Sequence, residues 1–247
     1  MRYFLELAYN GSNYCGWQSQ PNAPSVQQTL EEALSTILRD KIEVTGCGRT
    51  DTGVHAKHYV AHIETEAQLP EGFVPRLNKF LPVDIVIYKI YPVSEEMHAR
   101  FSATHRAYEY HLEFQKNPFQ QDTAYRFPFP QRPDLDTLNR AAALLPEYDA
   151  FFPFCKSNSD AKTMFCDVRR AEWVEDKAAD KYVFHIAANR FLRGMVRLTV
   201  GMCLNVALER VTLAEVEDCL QKQNRLRRDW SVAAHGLYLT EVRYPEV

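Results

Sequence analysis

From Arg2 to Tyr9 apolar positions alternate, with Tyr3, Leu5, Leu7 and Tyr9 on one side and Phe4, Glu6 and Ala8 on the other, which is the period of a β-strand. Asn10-Gly11-Ser12-Asn13 turns the chain. Tyr14-Cys15-Gly16-Trp17-Gln18 follows, with Trp17 read as a core or rim residue. At Ser25 the period changes. Val26, Leu30, Ala33, Leu34, Ile37 and Leu38 recur at helical spacing, behind Ser25 with Gln28 three residues on, the capping-box arrangement. Ile42 and Val44 alternate again. Beyond the segment 46–56, Tyr59, Ala61 and Ile63 alternate with Val60 and His62 in a strand reaching about Thr65. Phe73, Leu77, Phe80 and Leu81 mark a shorter helix. Ile85 to Ile90 is a strand almost continuous in apolar residues, and 98–103 is less regular. From His105, Tyr108, Tyr110, Leu112 and Phe114 face one way and Ala107, Glu109, His111 and Glu113 the other.

Residues 117–134 carry Pro118, Pro128, Pro130 and Pro133, which interrupt any regular element. They read as the connection between an N-terminal half, 1–116, and a C-terminal half, 135–247. Leu135, Leu138, Ala141, Ala142 and Leu145 restore a helix. Lys156 to Lys162 reads as a mobile polar loop, Val168 to Glu175 and Tyr182 to Ala188 as strands, and Phe191 to Leu208 as a long, mostly apolar helix. Leu213, Val216, Cys219 and Leu220 mark another helix, and Leu237 to Tyr244 a closing strand. Each half supplies strands and helices joined by turns or single helices. The pattern predicts an α+β fold of two α/β subdomains with similar element content and largely antiparallel sheets flanked by helices.

Between the strands around Val44 and Tyr59 lies Gly46-Cys47-Gly48-Arg49-Thr50-Asp51-Thr52-Gly53-Val54-His55-Ala56. Its glycines permit close approach of backbone to a ligand. A strand-loop-strand setting places Arg49 and Asp51 at the mouth of a sheet, where a neighbouring cation favours the ionised carboxylate that a nucleophile requires. The same features also describe an ordinary turn with a surface ion pair.

Composition narrows the class. The 247 residues are 46% hydrophobic and 25% charged, in the range of soluble globular proteins. No apolar run reaches the length of a membrane span, and Glu6 interrupts the apolar stretch a signal peptide needs. Six scattered cysteines, without close metal-type pairs, read as reduced thiols in a cytoplasmic protein. A net charge of −3 does not mark a nucleic-acid binder. Any RNA contact has to come from basic residues gathered on one face.

The central loop also has features of other chemistries. Gly46-x-Gly48 with Gly53 lacks the offset and the following helix of a dinucleotide fingerprint. Asp51, His55, His58 and His62 are possible metal ligands, but on a strand His58 and His62 share a face without His55. Cys47 beside Arg49 reads as a packed thiol rather than a reactive one.

The loop resembles the signature of the TruA family of tRNA pseudouridine synthases, and the resemblance runs the length of the chain. Tyr9-Asn10-Gly11-Ser12, Gly16-Trp17-Gln18 and Ser25-Val26-Gln27 match its N-terminal pattern. His98 to Thr104 and Arg106-Ala107-Tyr108-Glu109-Tyr110 match its middle motif. Asn189 to Arg197 and Gly236-Leu237-Tyr238-Leu239 match its C-terminal ones. Thr52 stands where Ala is usual, 147–152 replaces a Gly-x-His-Asp-Phe segment, and the proline expected before Gly236 is absent. The resemblance implies a pseudouridine synthase-like fold and isomerisation of uridine to pseudouridine at positions 38, 39 and 40 of the tRNA anticodon stem-loop, by a homodimer with neither cofactor nor metal. It implies Asp51 as the catalytic nucleophile, Arg49 holding the flipped nucleotide and Tyr108 packing on the target base. Arg197 sits in a long apolar helix, where an uncompensated charge is expensive, so a partner is expected, and that partner is Asp51; Leu237 is expected to wall the pocket. Lys57, Arg76, Lys79, Arg190, Arg193, Arg225, Arg227 and Arg228 are candidates for phosphate contact. A catalytically silent RNA-binding protein and a metal-dependent hydrolase are the alternatives from other classes.

Overall fold

The computed structural model describes residues 1–157 and 161–245. Asn158, Ser159 and Asp160 of the expected polar loop lie outside the described residues. The chain divides into two compact units, Met1–Thr104 with Tyr238–Val247, and His105–Leu237. The division falls before the strand that begins at His105 rather than in the proline-rich stretch 117–134, and the closing strand from Tyr238 belongs with the first unit.

In the first unit β1 (Arg2–Tyr9) lies between β3 (His55–Glu64) and β4 (Ile85–Val93), antiparallel to both, so that Leu5 faces Ala61 on one side and Ile90 on the other. β2 (Val44–Gly46) pairs antiparallel with β3, and β9 (Leu237–Arg243) pairs parallel with it at His55 and Ala56. The alternation expected of β1 holds for Leu5, Leu7 and Tyr9, but Phe4 on the other face is buried as well. Its ring packs 5.0 Å from that of Tyr244 and 6.3 Å from that of His62, so apolar cover extends over both faces at this end of the sheet.

Helix α1 (Val26–Leu38) buries Val26, Leu30, Ala33 and Leu34, as its spacing predicts. Ser25 caps it by accepting the Gln28 N–H at 3.2 Å. The capping box is half made, because the Gln28 side chain donates to Glu32 instead of returning to Ser25. Helix α2 is Phe73–Phe80.

In the second unit β8 (Lys181–Ala188) lies between β5 (His105–Glu113) and β7 (Val168–Asp176), antiparallel to both. The proline-rich stretch is not featureless. It contributes β6 (Tyr125–Arg126), parallel to β5, and buries Ala124 and Phe127. Helices α3 (Leu135–Ala143) and α4 (Met195–Ala207) cover the sheet face that carries Phe184 and Trp173, whose rings lie 5.1 Å apart. The long apolar helix begins at Met195, not at Phe191, because Gly194 takes a left-handed conformation, φ 73°, at its N-cap. Helix α5 (Leu213–Lys222) carries a complete capping box between Thr212 and Glu215. Strands and helices are thus assembled in an α+β fold with antiparallel pairs, and with parallel pairing of β3 with β9 and of β5 with β6.

His62 illustrates how burial sets protonation. It is 6% exposed, and its Nδ1 accepts the Ala99 N–H at 3.1 Å. Burial first, then the positive charges of His98 and Arg2, push its pKa down to about 4. A neutral ring is therefore favoured in the folded state, while the unfolded chain takes up its proton near the ordinary value of 6.5. The contribution is whole above pH 6.5 and is lost progressively as pH falls toward 4. Denaturant unfolding across that window should show a steeper loss of stability in the wild type than in His62→Gln, by up to about one proton. Parallel curves would contradict this.

Candidate active site

The Gly46–Ala56 segment leaves β2 and enters β3 as a closed loop whose backbone is held from outside. The Cys47 N–H donates to the Val60 carbonyl at 2.8 Å, the Val54 N–H to the Asp51 carbonyl at 3.1 Å, and the Gly53 N–H to the Tyr14 carbonyl at 3.3 Å. The Trp17 N–H reaches the Thr50 carbonyl at 3.3 Å. The 14–17 segment thereby clasps the loop on both sides of Asp51. Asp51 is half-buried and Arg49 exposed.

Beneath the loop lies an aromatic base. Trp17 and Tyr59 stack with ring centroids 4.1 Å apart, and Tyr9 packs 5.5 Å from Tyr59. Two of these rings also bond the loop: the Tyr59 hydroxyl donates to the Gly48 carbonyl at 2.5 Å, and the Tyr9 and Thr50 hydroxyls meet at 2.9 Å. The core reading of Trp17 holds, since it is 2% exposed. What the spacing did not reveal is that the loop rests on it. Gly46 fits only because it lacks a Cβ, which would lie 2.0 Å from the Tyr59 hydroxyl and 2.5 Å from the indole. At Gly16 a Cβ would fall 2.3 Å from the Thr50 carbonyl, and φ is +90°.

His55, His58 and His62 have separate tasks. Nδ1 of His55 accepts the Gly11 N–H at 3.0 Å, Nδ1 of His58 the Val242 N–H at 3.2 Å, and His62 the bond to Ala99. Among the described residues no group of three or more His, Cys, Asp or Glu side chains is placed to hold a metal ion. Cys47 is buried, as expected of a packed thiol.

The remaining residues of interest lie in the second unit. Tyr108 is half-buried on β5, its ring edge-on to Phe191 at 5.1 Å. Arg197 occupies the first turn of α4, where the helix dipole opposes a cation. Its Nε donates to the Val232 carbonyl at 2.7 Å, and the Val232 N–H donates to the Arg197 carbonyl at 3.4 Å. Leu237 is buried. The preceding Gly236 lies against Tyr110, where a Cβ would come within 2.9 Å of the ring, and the Tyr110 hydroxyl donates to the Ala233 carbonyl at 2.9 Å. The run 232–237 is thus fastened to both α4 and β5.

Of the basic candidates, Lys57 stands over the Tyr238 ring at 5.1 Å, and Arg225 over Phe152 at 5.2 Å while donating to the Cys155 carbonyl. Arg190 donates to the Thr163 hydroxyl at 3.0 Å. Arg76, Lys79, Arg193, Arg227 and Arg228 are exposed.

Two glycine variants separate clasped backbone from open backbone. Gly16→Ala should lose ~2–4 kcal/mol of stability through the clash and the positive φ. Gly48→Ala, whose Cβ would meet nothing within 4 Å, should stay within about 1 kcal/mol of wild type. Chemical denaturation of both variants measures the difference, and equal losses would contradict the clasp.

Comparison with known proteins bears on what this loop serves. Residues 7–102 and 149–245 match the family described as tRNA pseudouridine synthase. A tRNA pseudouridine synthase A of Porphyromonas gingivalis is 46% identical over 250 residues, covering 99% of this chain and 97% of that protein. Proteins of the same name from Azobacteroides pseudotrichonymphae and Parabacteroides distasonis are each 42% identical, over 99% of this chain and 97% and 96% of theirs. The two matched segments include the clasped loop with Asp51 and also Arg197 and Leu237. On this agreement across nearly its whole length, the chain belongs to the tRNA pseudouridine synthase family and is an isomerase.

Proposed function

We propose that the enzyme converts uridine to pseudouridine at positions 38, 39 and 40 of the tRNA anticodon stem-loop, with Asp51 as its nucleophile. The observation that carries this reading is the loop itself, a half-buried carboxylate two residues from an exposed guanidinium, on backbone clasped by Tyr14, Trp17 and Tyr59. Rigid placement is what a nucleophile needs, because misplacement by an ångström costs orders of magnitude in rate.

The reaction is an isomerisation and balances within the substrate. The N1–C1′ bond breaks, the uracil rotates, C5 bonds to C1′, and the proton on C5 is lost while N1 gains one. No electrons are gained or lost. The target uridine has to leave the helical stack, at a cost of a few kcal/mol. In this reading Arg49 holds the extruded nucleotide and Tyr108 offers a ring face to the base. Arg197 balances the Asp51 carboxylate, and Leu237 closes the pocket against water, which strengthens every charge interaction inside. The exposed basic residues engage phosphates, and a homodimer acting in the cytoplasm would lengthen that surface for one tRNA.

Purified wild type and Asp51→Asn, incubated with unmodified tRNA without added metal or cofactor, test the assignment. The variant should melt at the wild-type temperature and bind tRNA within about threefold, yet lose at least ~10³-fold in pseudouridine formation. Retained turnover, or a variant that does not fold, would overturn the role given to Asp51. Binding without product from the wild type would identify a silent RNA binder.

A further inference from the structure

Two motifs have no role in the chemistry above. Gln18 ends Gly16-Trp17-Gln18, and Gln27 ends Ser25-Val26-Gln27. In the first unit their side chains join into a chain of hydrogen bonds that ends on Arg49. At one end the Val44 N–H donates to Glu31 Oε1 at 3.0 Å. Gln27 Nε2 donates to the same Glu31 oxygen at 3.1 Å and to the Val44 carbonyl at 2.9 Å. Gln27 Oε1 accepts the Ser19 N–H at 2.9 Å and Gln18 Nε2 at 3.2 Å. Gln18 Oε1 then accepts Arg49 Nε at 3.2 Å.

The direction of this chain is fixed by groups that cannot turn. A glutamine amide can present its oxygen or its nitrogen to either side, so its orientation follows from its partners. The Val44 carbonyl only accepts and the Ser19 N–H only donates, so Gln27 has a single orientation that satisfies both. Its oxygen then requires a donor from Gln18. That leaves the Gln18 oxygen as the group aimed at the guanidinium, which has donors and no acceptor. A bond at Nε fixes the plane of the guanidinium, whose terminal nitrogens are donors in their own right.

We infer that Gln18 and Gln27 are positioning residues for Arg49, forming a polar relay that carries the orientation of the β2 backbone to the guanidinium two residues before Asp51. The inference rests on the proposed use of Arg49 in holding the extruded nucleotide. Gln18 acts on Arg49 directly, and Gln27 acts by setting which end of Gln18 faces it. The relay affects the rate of the committed complex more than the affinity for RNA, since phosphate contacts elsewhere dominate binding.

A double-mutant cycle under single-turnover conditions with excess enzyme tests the relay. Its members are wild type, Gln18→Leu, Arg49→Lys and the double variant, with tRNA affinity and melting temperature measured alongside. Gln18 is exposed, so Gln18→Leu should melt with the wild type. It should slow pseudouridine formation by about tenfold, the size of one charge-assisted hydrogen bond, with tRNA affinity within about twofold. Lysine keeps the charge and removes the Nε–H. In the Arg49→Lys background the Gln18 substitution should therefore change the rate by less than about twofold. Equal effects of Gln18→Leu in both backgrounds, or an undiminished rate in the single variant, would overturn the relay. No product from wild type would instead overturn the functional reading beneath it.

Discussion

The stack of Trp17 on Tyr59 is the contact on which the site in the first unit depends. It joins two stretches far apart in sequence, the turn after β1 and the middle of β3, at a ring separation of 4.1 Å. On one side it needs Gly46, since any side chain there would enter the rings. On another it brings the Trp17 backbone to the Thr50 carbonyl and the Tyr59 hydroxyl to the Gly48 carbonyl. A loop rich in glycine has the most conformational entropy to lose on ordering. Buried aromatic area, with several backbone groups satisfied in the same place, offsets that loss. The same packing directs Gly16 and Trp17 carbonyls to the N–H groups of Val26 and Gln27 at the start of α1. The helix that carries Gln27 and Glu31 is thereby fixed by the elements that fix the loop.

The second unit solves a different problem. Arg197 sits in a helix whose neighbours along the chain are buried, Met195, Val196 and Leu198 among them. It lies at the end of that helix where a cation is least favoured. Its bond to the Val232 carbonyl supplies one acceptor and ties α4 to the segment leading to Leu237. A cation kept in such a setting costs stability, and sites retain groups of this kind for function rather than for folding. This is the physical ground on which the proposal gives Arg197 a part.

Much of this was legible from residues alone because the relevant patterns are local. Alternation located β1, β5 and β8 to within a residue or two, and the Ser25 cap followed from its position before an apolar helical face. The errors arose where a local pattern competed with tertiary packing. Phe191 and Leu192 extend the apolar run ahead of the helix, but Gly194 turns left-handed there, so the helix starts later. Pro118 to Pro133 suggested a bare connection, yet Tyr125 and Arg126 pair with β5. Phe4 is buried on the face opposite Leu5 because Tyr244, from the far end of the chain, covers it. Thr212 and Glu215 form a capping box ahead of α5. The convergence of Tyr9, Trp17 and Tyr59, and the run from Glu31 through two glutamines to Arg49, leave no periodic trace. Matching motifs marked these residues, but only the fold shows what they touch.

Amide hydrogen exchange at the loop is the most direct measure of the central claim, that Asp51 is carried on fixed backbone. The N–H groups of Trp17, Cys47, Gly53 and Val54 all donate within the clasp. They should exchange with protection approaching that of β1 and β3, although Arg49 and Thr52 of the same loop are exposed. Exchange of these four amides at rates typical of an open surface loop, with the two strands still protected, would contradict the account.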